Sequence, residues 1–280
     1  YGLSVLPKTA IVDPIAFVLK ANTPEPFIRD IVTYGADHYE VGGANVRANI
    51  ISSVSKLFGG EHQVRVSYMP GANDRPNLTG INYITIHDTG NTSGTATAQG
   101  HVNFLAGVPG VSWHYTIDEN EIVQHLPDHK RGAHAGNTTG NAESIGLEMA
   151  INFRADHYRT WQRSAQLVAH LLVEHNLGMN RIRQHYDWSG KDCPRTLRNA
   201  NLYPMFMELI QFEYDRLTIY SGYQFVFESH NPEIISNEGR VIARPLLTTT
   251  VSYTVHITNA STGYSESVTL YSTIPGRLAY

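Results

Sequence analysis

Ten residues constrain this chain more than any others: His185-Tyr186-Asp187-Trp188-Ser189-Gly190-Lys191-Asp192-Cys193-Pro194. They hold the only cysteine among 280 residues, a histidine eight positions before it and a lysine two positions before it. A thiolate and an imidazole on one short loop can be two ligands of a single zinc ion. Zinc takes Cys sulfur and His nitrogen tetrahedrally, and a catalytic site keeps one position open for water. Gly190 lets such a loop fold back sharply, and Pro194 stiffens its exit. By itself the stretch is equally well read as a buried free cysteine, because lone cysteines pack as small hydrophobes. A third ligand elsewhere in the chain decides between the two.

The remaining sequence has room for one large or two ordinary domains with ample core. A hydrophobic content of 41% and a charged content of 16% describe an ordinary globular protein. The formal net charge of -4 gives no support for nucleic acid or a strongly anionic surface as a partner. A single cysteine excludes an intramolecular disulfide, and it leaves the compartment open, because a metal-bound thiolate is protected anywhere. The most apolar early run, residues 11–19, contains Asp13 and Pro14. It is too short to span a membrane and lacks a small-residue cleavage pattern.

Along the chain, helices are predicted at residues 14–20 and 45–57. In the second, Val46, Ile50, Ile51, Val54 and Leu57 recur at helical spacing ahead of Gly59-Gly60. His38 and His62 have no partner pattern and are read as surface residues. A short strand at 64–68 precedes a turn-rich segment, 70–76. Residues 81–87 alternate as a strand, with Ile84 and Ile86 on one side and Tyr83, Thr85 and His87 on the other. His87 ends that strand, and sheet ends are where polar site residues gather in α/β folds. A helix at 95–105 follows, then strands at 112–117 and 121–126 joined by the hairpin signal Asp118-Glu119-Asn120.

The polar, glycine-rich segment 130–141 is too long for a plain connector and reads as a binding loop. Residues 144–150 form a buried strand with Glu148 in its middle; the bland alternative is a Glu on a solvated sheet face. A long amphipathic helix at 159–176 places Trp161, Ala165, Val168 and Leu172 on one face, with Gly178 as its cap. His170 and His175 within it read as packed or solvated. A short strand, 181–184, delivers His185, and a helix at 201–217 closes the domain. Beyond it Val251, Tyr253, Val255 and Ile257 alternate with Ser252, Thr254, His256 and Thr258. Val268 and Leu270 repeat the pattern, so a small antiparallel sandwich is expected, with His230 and His256 on its surface.

Taken together, Tyr83-Ile84-Thr85-Ile86-His87-Asp88-Thr89, Ser112-Trp113-His114-Tyr115, Gly132-Ala133-His134-Ala135-Gly136, Ser144-Ile145-Gly146-Leu147-Glu148 and the 185–194 stretch resemble, in order and spacing, the zinc N-acetylmuramoyl-L-alanine amidases of bacteria and their phages. That family shares its fold with the peptidoglycan-recognition proteins. The resemblance spans roughly residues 65–215, and five segments in register are far more specific than any one of them. It implies an α/β fold with a central mixed β-sheet flanked by helices. It also implies one zinc per chain held by His87, His185 and Cys193, with Glu148 and Lys191 as the catalytic pair. Residues 218–280 resemble, more weakly, a bacterial immunoglobulin-like module, on the cues Asn237-Glu238-Gly239-Arg240-Val241 and Arg244-Pro245. The expected organisation is therefore an N-terminal helical extension at 1–64, a catalytic domain at 65–217 and a small all-β module at 218–280.

Two positions depart from the pattern. Some relatives have tyrosine where this chain has Trp113, and indole has no acid–base role, so proton transfer should fall on Glu148. Some use Asp as the third ligand directly before a proline; here Asp192 lies one position too early and Cys193 takes that place. In this reading Lys191 faces the developing oxyanion, and His134, Trp113 and Asn137 line a groove for sugar or peptide. For His134 a loop-stabilising hydrogen bond is an equal alternative, and for Lys191 a solvated loop position is the plainer one. The implied partner is peptidoglycan (muramyl peptides), with no nucleic acid and no membrane span. The implied setting is the cell wall, as a secreted bacterial protein or a phage lysin. Two other readings of the same residues are a non-catalytic peptidoglycan-binding protein and a structural zinc site, which would need a fourth ligand.

Overall fold

The structure is a computed structural model that describes residues 12–33 and 46–278, so His38 lies outside the described residues. Helix α1 (Pro14–Ala21) is capped by the Asp13 carboxylate, which accepts the Ala16 N–H at 2.9 Å. It leads to an antiparallel pair, β1 (Arg29–Thr33) and β2 (Val46–Ile50). Next come β3 (Val64–Val66), β4 (Tyr83–Asp88), α2 (Ala98–Gly107), β5 (Tyr115–Ile117), β6 (Ile122–Gln124), α3 (Thr138–Glu143), β7 (Ser144–Met149), α4 (His157–Glu174) and β8 (Ile182–Gln184). Short helices α5 (His185–Ser189) and α6 (Arg195–Asn199) and the longer α7 (Tyr203–Leu217) follow, then β9 (Gln224–Ser229), β10 (Thr249–Asn259) and β11 (Tyr264–Ile274).

Six strands form one mixed sheet in the order β3-β6-β5-β7-β4-β8. Every pair in it is parallel except the β5–β6 hairpin, whose turn is shaped by Asp118 Oδ1 accepting the N–H groups of Asn120 and Glu121. β7, β4 and β8 are therefore parallel neighbours, and their C-terminal ends meet at one rim of the sheet. In α/β sheets such rims are where ligands bind. The alternation expected for 81–87 holds: Ile84 and Ile86 enter the core, while Thr85 and His87 face the other layer. On the core side lie α4 and α7, with Trp161, Ala165, Val168 and Leu172 fully buried against Ile145, Leu147, Phe206 and Ile210. α4 starts at the Asp156 cap and ends through Asn176 in the left-handed conformation (φ 54°), not through Gly178.

Of the helix expected at 45–57, residue 45 lies outside the described residues and residues 46–57 are not helical. β2 occupies its first part and irregular chain the rest. The physical reason lies in where its apolar residues go. Ile50 is buried in the core under the six-stranded sheet, whereas Val54 and Leu57 are buried in a second core. A helix would have placed them on one stripe; the chain instead threads between two hydrophobic bodies. Buried Ser53 and Ser55 serve the crossing, Ser53 Oγ donating to Gln162 Oε1 at 2.6 Å and the Ser55 carbonyl accepting from Gln162 Nε2 at 2.9 Å.

The second core joins the two ends of the chain. β9, β10 and β11 form a three-stranded antiparallel sheet in the order β11-β10-β9, and Val251, Tyr253, Val255 and Ile257 point inward as expected. No second sheet covers them among the described residues, so the expected sandwich is one layer short. Its place is taken by Phe17, Val18 and Ala21 of α1, by Val54 and Leu57, and by Phe212 of α7. Polar ties run across the same seam. Val54 N–H donates to Gly239 O at 2.9 Å, Tyr253 OH donates to Val54 O at 3.1 Å, and Arg240 pairs with Asp156 at 3.1 Å. His62 is half-buried and stacked on His170 (ring centroids 4.4 Å, 24°), which corrects its reading as a surface residue. His230 is exposed and His256 half-exposed, as expected.

Candidate metal centre and its cavity

The register of the sheet sets His87 on β4 directly opposite Glu148 on β7. On the other side of β4, β8 runs without a break into α5, whose first residue is His185. Gly190, at φ 75°, takes the left-handed conformation that ends α5 and turns the chain back. The return is fixed by Tyr186 N–H donating to Cys193 O at 3.1 Å. Three side chains thus converge. His87 Nδ1 and His185 Nδ1 are 3.0 Å apart, Cys193 Sγ is 3.8 Å from His87 Nδ1, and all three are buried with their ligand atoms within 4.8 Å of one another. Two imidazole nitrogens and one thiol that share a point are a donor set suited to zinc.

The two imidazoles are held in the form that such a fit requires. Burial first, then neighbouring His134, His185 and Lys191, hold the His87 imidazole neutral far below its ordinary range. Burial and Lys191 push His185 down to about 4. The Cys193 thiol is pushed well up by burial, then by Asp88 and Glu148. Burial and then Asp88 also raise the Glu148 carboxyl, with Lys191 opposing. Neutral imidazole is the ligating form, and a divalent cation between these donors makes the thiolate the favoured state of Cys193. Glu148 Oε2 is buried without a hydrogen-bond partner, and Oε1 lies 3.9 Å from His87 Nδ1. The carboxylate is thus beside the donor set but outside it, aimed into the cavity rather than toward open solvent.

Neighbouring residues fix the ligand rings. His87 Nε2 lies 3.0 Å from His134 Nδ1, so the outer nitrogen of His87 is held by a second imidazole. His134 packs so tightly against Gly146 that a Cβ there would lie 2.7 Å from its ring. The His134 side chain thus meets the His87 ring instead of making the loop-stabilising hydrogen bond that was its alternative, and it also lines the cavity. Below α5, Trp188 Nε1 donates to Thr85 Oγ1 at 3.0 Å and Thr85 Oγ1 donates to Ser144 Oγ at 2.8 Å, which pins the His185 helix to β4 and β7. Asp88 has no predicted role from the sequence. Its Oδ2 accepts the Thr196 N–H at 2.7 Å, clamping the start of α6 and with it Cys193. The signal was its position beside His87.

A cavity of about 670 Å³ opens over the centre. Glu148, Lys191, His134 and Trp113 line it, as the sequence reading expects, and so do Phe104 and Arg195, which that reading did not single out. The Trp113 indole N–H donates to Thr116 Oγ1 at 2.7 Å, and its ring stacks near Phe104 at 6.1 Å. Asn137 is not among the lining residues. It caps α3 by accepting the Gly140 N–H and donates to Trp188 O at 3.3 Å, so it supports the wall instead of forming it. His114 points into the sheet layer, with Nδ1 accepting the Gly146 N–H at 3.0 Å and Nε2 2.8 Å from Lys130 O. Asp192 turns to Arg198 at 2.9 Å and Arg195 at 3.5 Å, away from the donor set.

Residues 76–196 match the family described as N-acetylmuramoyl-L-alanine amidase. The chain is 42% identical over 132 residues to the N-acetylmuramoyl-L-alanine amidase XlyA of Bacillus subtilis, covering 45% of this chain and 44% of that protein. It is 39% identical over 140 residues to CwlH of the same organism, an amidase of the same description, covering 48% and 56%. The chain therefore spans about half the length of these curated relatives. A solved structure, a mutant endolysin from Bacillus subtilis, is 36% identical, superposes with a TM-score of 0.50, and is covered over 99% of its length by 54% of this chain. On these matches, and with the mixed sheet and the His, His, Cys centre in place, the chain belongs to the N-acetylmuramoyl-L-alanine amidase family.

Proposed function

We propose that this protein hydrolyses the amide bond between N-acetylmuramic acid and L-alanine in bacterial peptidoglycan, using one zinc ion per chain held by His87, His185 and Cys193. The observation that carries the reading is the convergence of those three buried donors beside an unpartnered Glu148 oxygen at the floor of one cavity. Zinc at such a site supplies Lewis acidity, which activates water near neutral pH and polarises a carbonyl. The chain's own residues do the rest. Glu148 accepts the proton of the attacking water and passes it to the departing nitrogen. Lys191, exposed at the cavity wall, sets its ammonium toward the oxyanion that develops on the scissile carbonyl. His134 holds the His87 ring in the orientation that directs Nδ1 at the donor point. Trp113 and Phe104 give one wall of the cavity an aromatic face that suits a sugar ring.

Residues 65–217 are the catalytic unit in this proposal, and 218–280 serve wall binding or spacing. The site of action is the cell wall, outside the cytoplasmic membrane; no helix among the described residues is long and apolar enough to cross one. The test is mass spectrometry of purified peptidoglycan after digestion, with and without a chelator. New free L-alanine amino termini that vanish with the chelator are the expected result. Unchanged muropeptides together with retained binding would instead identify a peptidoglycan-binding protein on the same fold.

A further inference from the structure

The Arg198 side chain reaches three immediate neighbours of the two candidate ligands on the 185–194 stretch. Its Nε donates to Asp192 Oδ1 at 2.9 Å, its Nη1 donates to Gln184 Oε1 at 3.1 Å, and its guanidinium lies 3.7 Å from the centre of the Tyr186 ring. Gln184 and Tyr186 flank His185, and Asp192 precedes Cys193. One planar group thus grips both ends of the turn that carries two of the three donors. It touches no ligand atom, does not line the cavity, and is attached to α6, which Asp88 ties to β4.

We infer that Arg198 is a positioning residue for the metal centre, preorganising His185 and Cys193 at the spacing a zinc ion requires. The inference rests on the zinc reading of His87, His185 and Cys193. The physical argument is entropic. Seven residues lie between His185 and Cys193, and holding the two in register before the metal arrives removes a cost that metal binding would otherwise carry. Arginine suits the task because its rigid fork donates in two directions while its face stacks on an aromatic ring. Lysine offers a single point charge and can replace the Asp192 contact alone.

The test is zinc affinity of the full chain, measured by competition with a chromogenic chelator, alongside the melting temperature of the zinc-free protein. Arg198→Met should weaken zinc by about tenfold, the lower end for residues that support metal ligands. Arg198→Lys should recover only part of that loss. Asp192→Ala, at a half-exposed position, should weaken zinc in the same direction, and the double variant should lose less than the two single losses combined. With cobalt in place of zinc, the cobalt–thiolate absorption of Arg198→Met should saturate at a higher cobalt concentration than wild type. A merely structural arginine would lower the melting temperature and leave these metal titrations unmoved. Unchanged zinc affinity in folded Arg198→Met, or in Asp192→Ala should the first variant not fold, overturns the inference. Wild type that binds no zinc fails at the earlier step, the site itself, and takes the inference with it.

Discussion

The two hydrophobic cores of this chain are assembled in opposite ways. The core beneath the six-stranded sheet draws its buried members from residues 50–210, and all but Ile50 lie in one continuous run after β3 begins. The second core joins Phe17, Val18, Val54 and Leu57 to Phe227, Val251, Tyr253, Val255 and Ile257, partners about two hundred positions apart. The first carries the candidate metal centre on its rim; the second carries no group of that centre. The candidate site thus sits in a body drawn from one continuous stretch of chain, while the body joined from the two distant segments holds none of its residues. The seam between them is polar and specific, with Arg240 on Asp156 and the Phe58 N–H donating to the fully buried Glu213 Oε1 at 2.6 Å.

Truncation gives the largest effect and tests this comparison most directly. Ending the chain at Leu217 removes β9, β10 and β11 but leaves Phe17, Val18, Val54 and Leu57 facing water. At about 1.5–3 kcal/mol for each large apolar side chain, the loss is on the order of the whole stability of a domain. The 1–217 fragment should aggregate on expression. A 60–217 fragment sheds both halves of the second core and gives up only Ile50 of the first core's buried members. It should be the more soluble of the two and should bind zinc. Size-exclusion chromatography with elemental analysis checks both, and a monodisperse 1–217 fragment beside an aggregated 60–217 fragment would reverse the assignment of α1 and residues 51–58 to the second core.

Next in size is the chemistry on the first body. Glu148→Gln keeps the shape and hydrogen bonding of the side chain but cannot accept a proton, so it should retain zinc and lose about 10²–10⁴-fold in kcat. Lys191→Met should lose about 10²–10³-fold, the usual size for one oxyanion donor. Steady-state kinetics with metal analysis separates these from a ligand change such as Cys193→Ser, which should lose most of the zinc. If Glu148→Gln loses the metal and regains full turnover when zinc is restored, Glu148 is a support for His87 and the base lies elsewhere.

The converse experiment perturbs the second body alone. Phe17 is 5% exposed and stacks on Tyr220 at 4.2 Å, with Phe212 and Phe225 at 5.6 and 5.5 Å. Phe17→Ala should cost about 3–5 kcal/mol of unfolding free energy, read by urea denaturation, while zinc content and kcat at 25 °C stay at wild-type values. A parallel fall in kcat would show that the seam transmits strain to the rim of the sheet.

The same contrast explains what was legible in the sequence. Strand 81–87, the buried 144–150 run and the Trp161, Ala165, Val168, Leu172 stripe each carry their pattern within one element, and they are found as β4, β7 and α4. The pairing of His185 with Cys193 was legible because their loop is short, whereas His87 joined them through the family resemblance, and the structure brings the three side chains together. Residues 45–57 misled because Ile50, Val54 and Leu57 fit a helical stripe yet are divided between two cores, a choice made by tertiary context and invisible to periodicity. The missing second layer of the C-terminal module was hidden for the same reason, its cover lying at the other end of the chain. Asn137 stood in a loop rich in binding-type residues, but its place ahead of Thr138-Thr139-Gly140 also fits a helix cap. Asp88 could not be assigned, since its partner Thr196 is 108 positions away.

The smallest effect separates the two bodies by pH. His157, fully buried at the start of α4 and stacked beside Trp161 at 6.2 Å, is held neutral by burial, down to about 4 from its ordinary 6.5. Its folded pKa lies below its unfolded one, so between pH 6.5 and 4 the unfolded chain takes up a proton that the native protein refuses. The stability it supports is complete above pH 6.5 and falls as pH drops toward 4. Asp156, its neighbour and the cap of α4, runs the other way. Burial, only partly offset by Arg159 and Arg240, raises it from 3.8 to about 6, so the native protein holds a proton the unfolded chain has released. Its contribution is present below pH 3.8 and is lost as pH rises through 6. His157→Phe should therefore reduce the stability lost between pH 7 and pH 5 by about 2 kcal/mol, and Asp156→Asn should steepen that loss. Urea midpoints at the two pH values, taken on zinc-loaded protein, read both changes. The Phe17→Ala variant should show the wild-type pH dependence at lower stability, because the side chain it alters does not titrate; an altered slope there would mean that loosening the second core admits water to His157 across the seam.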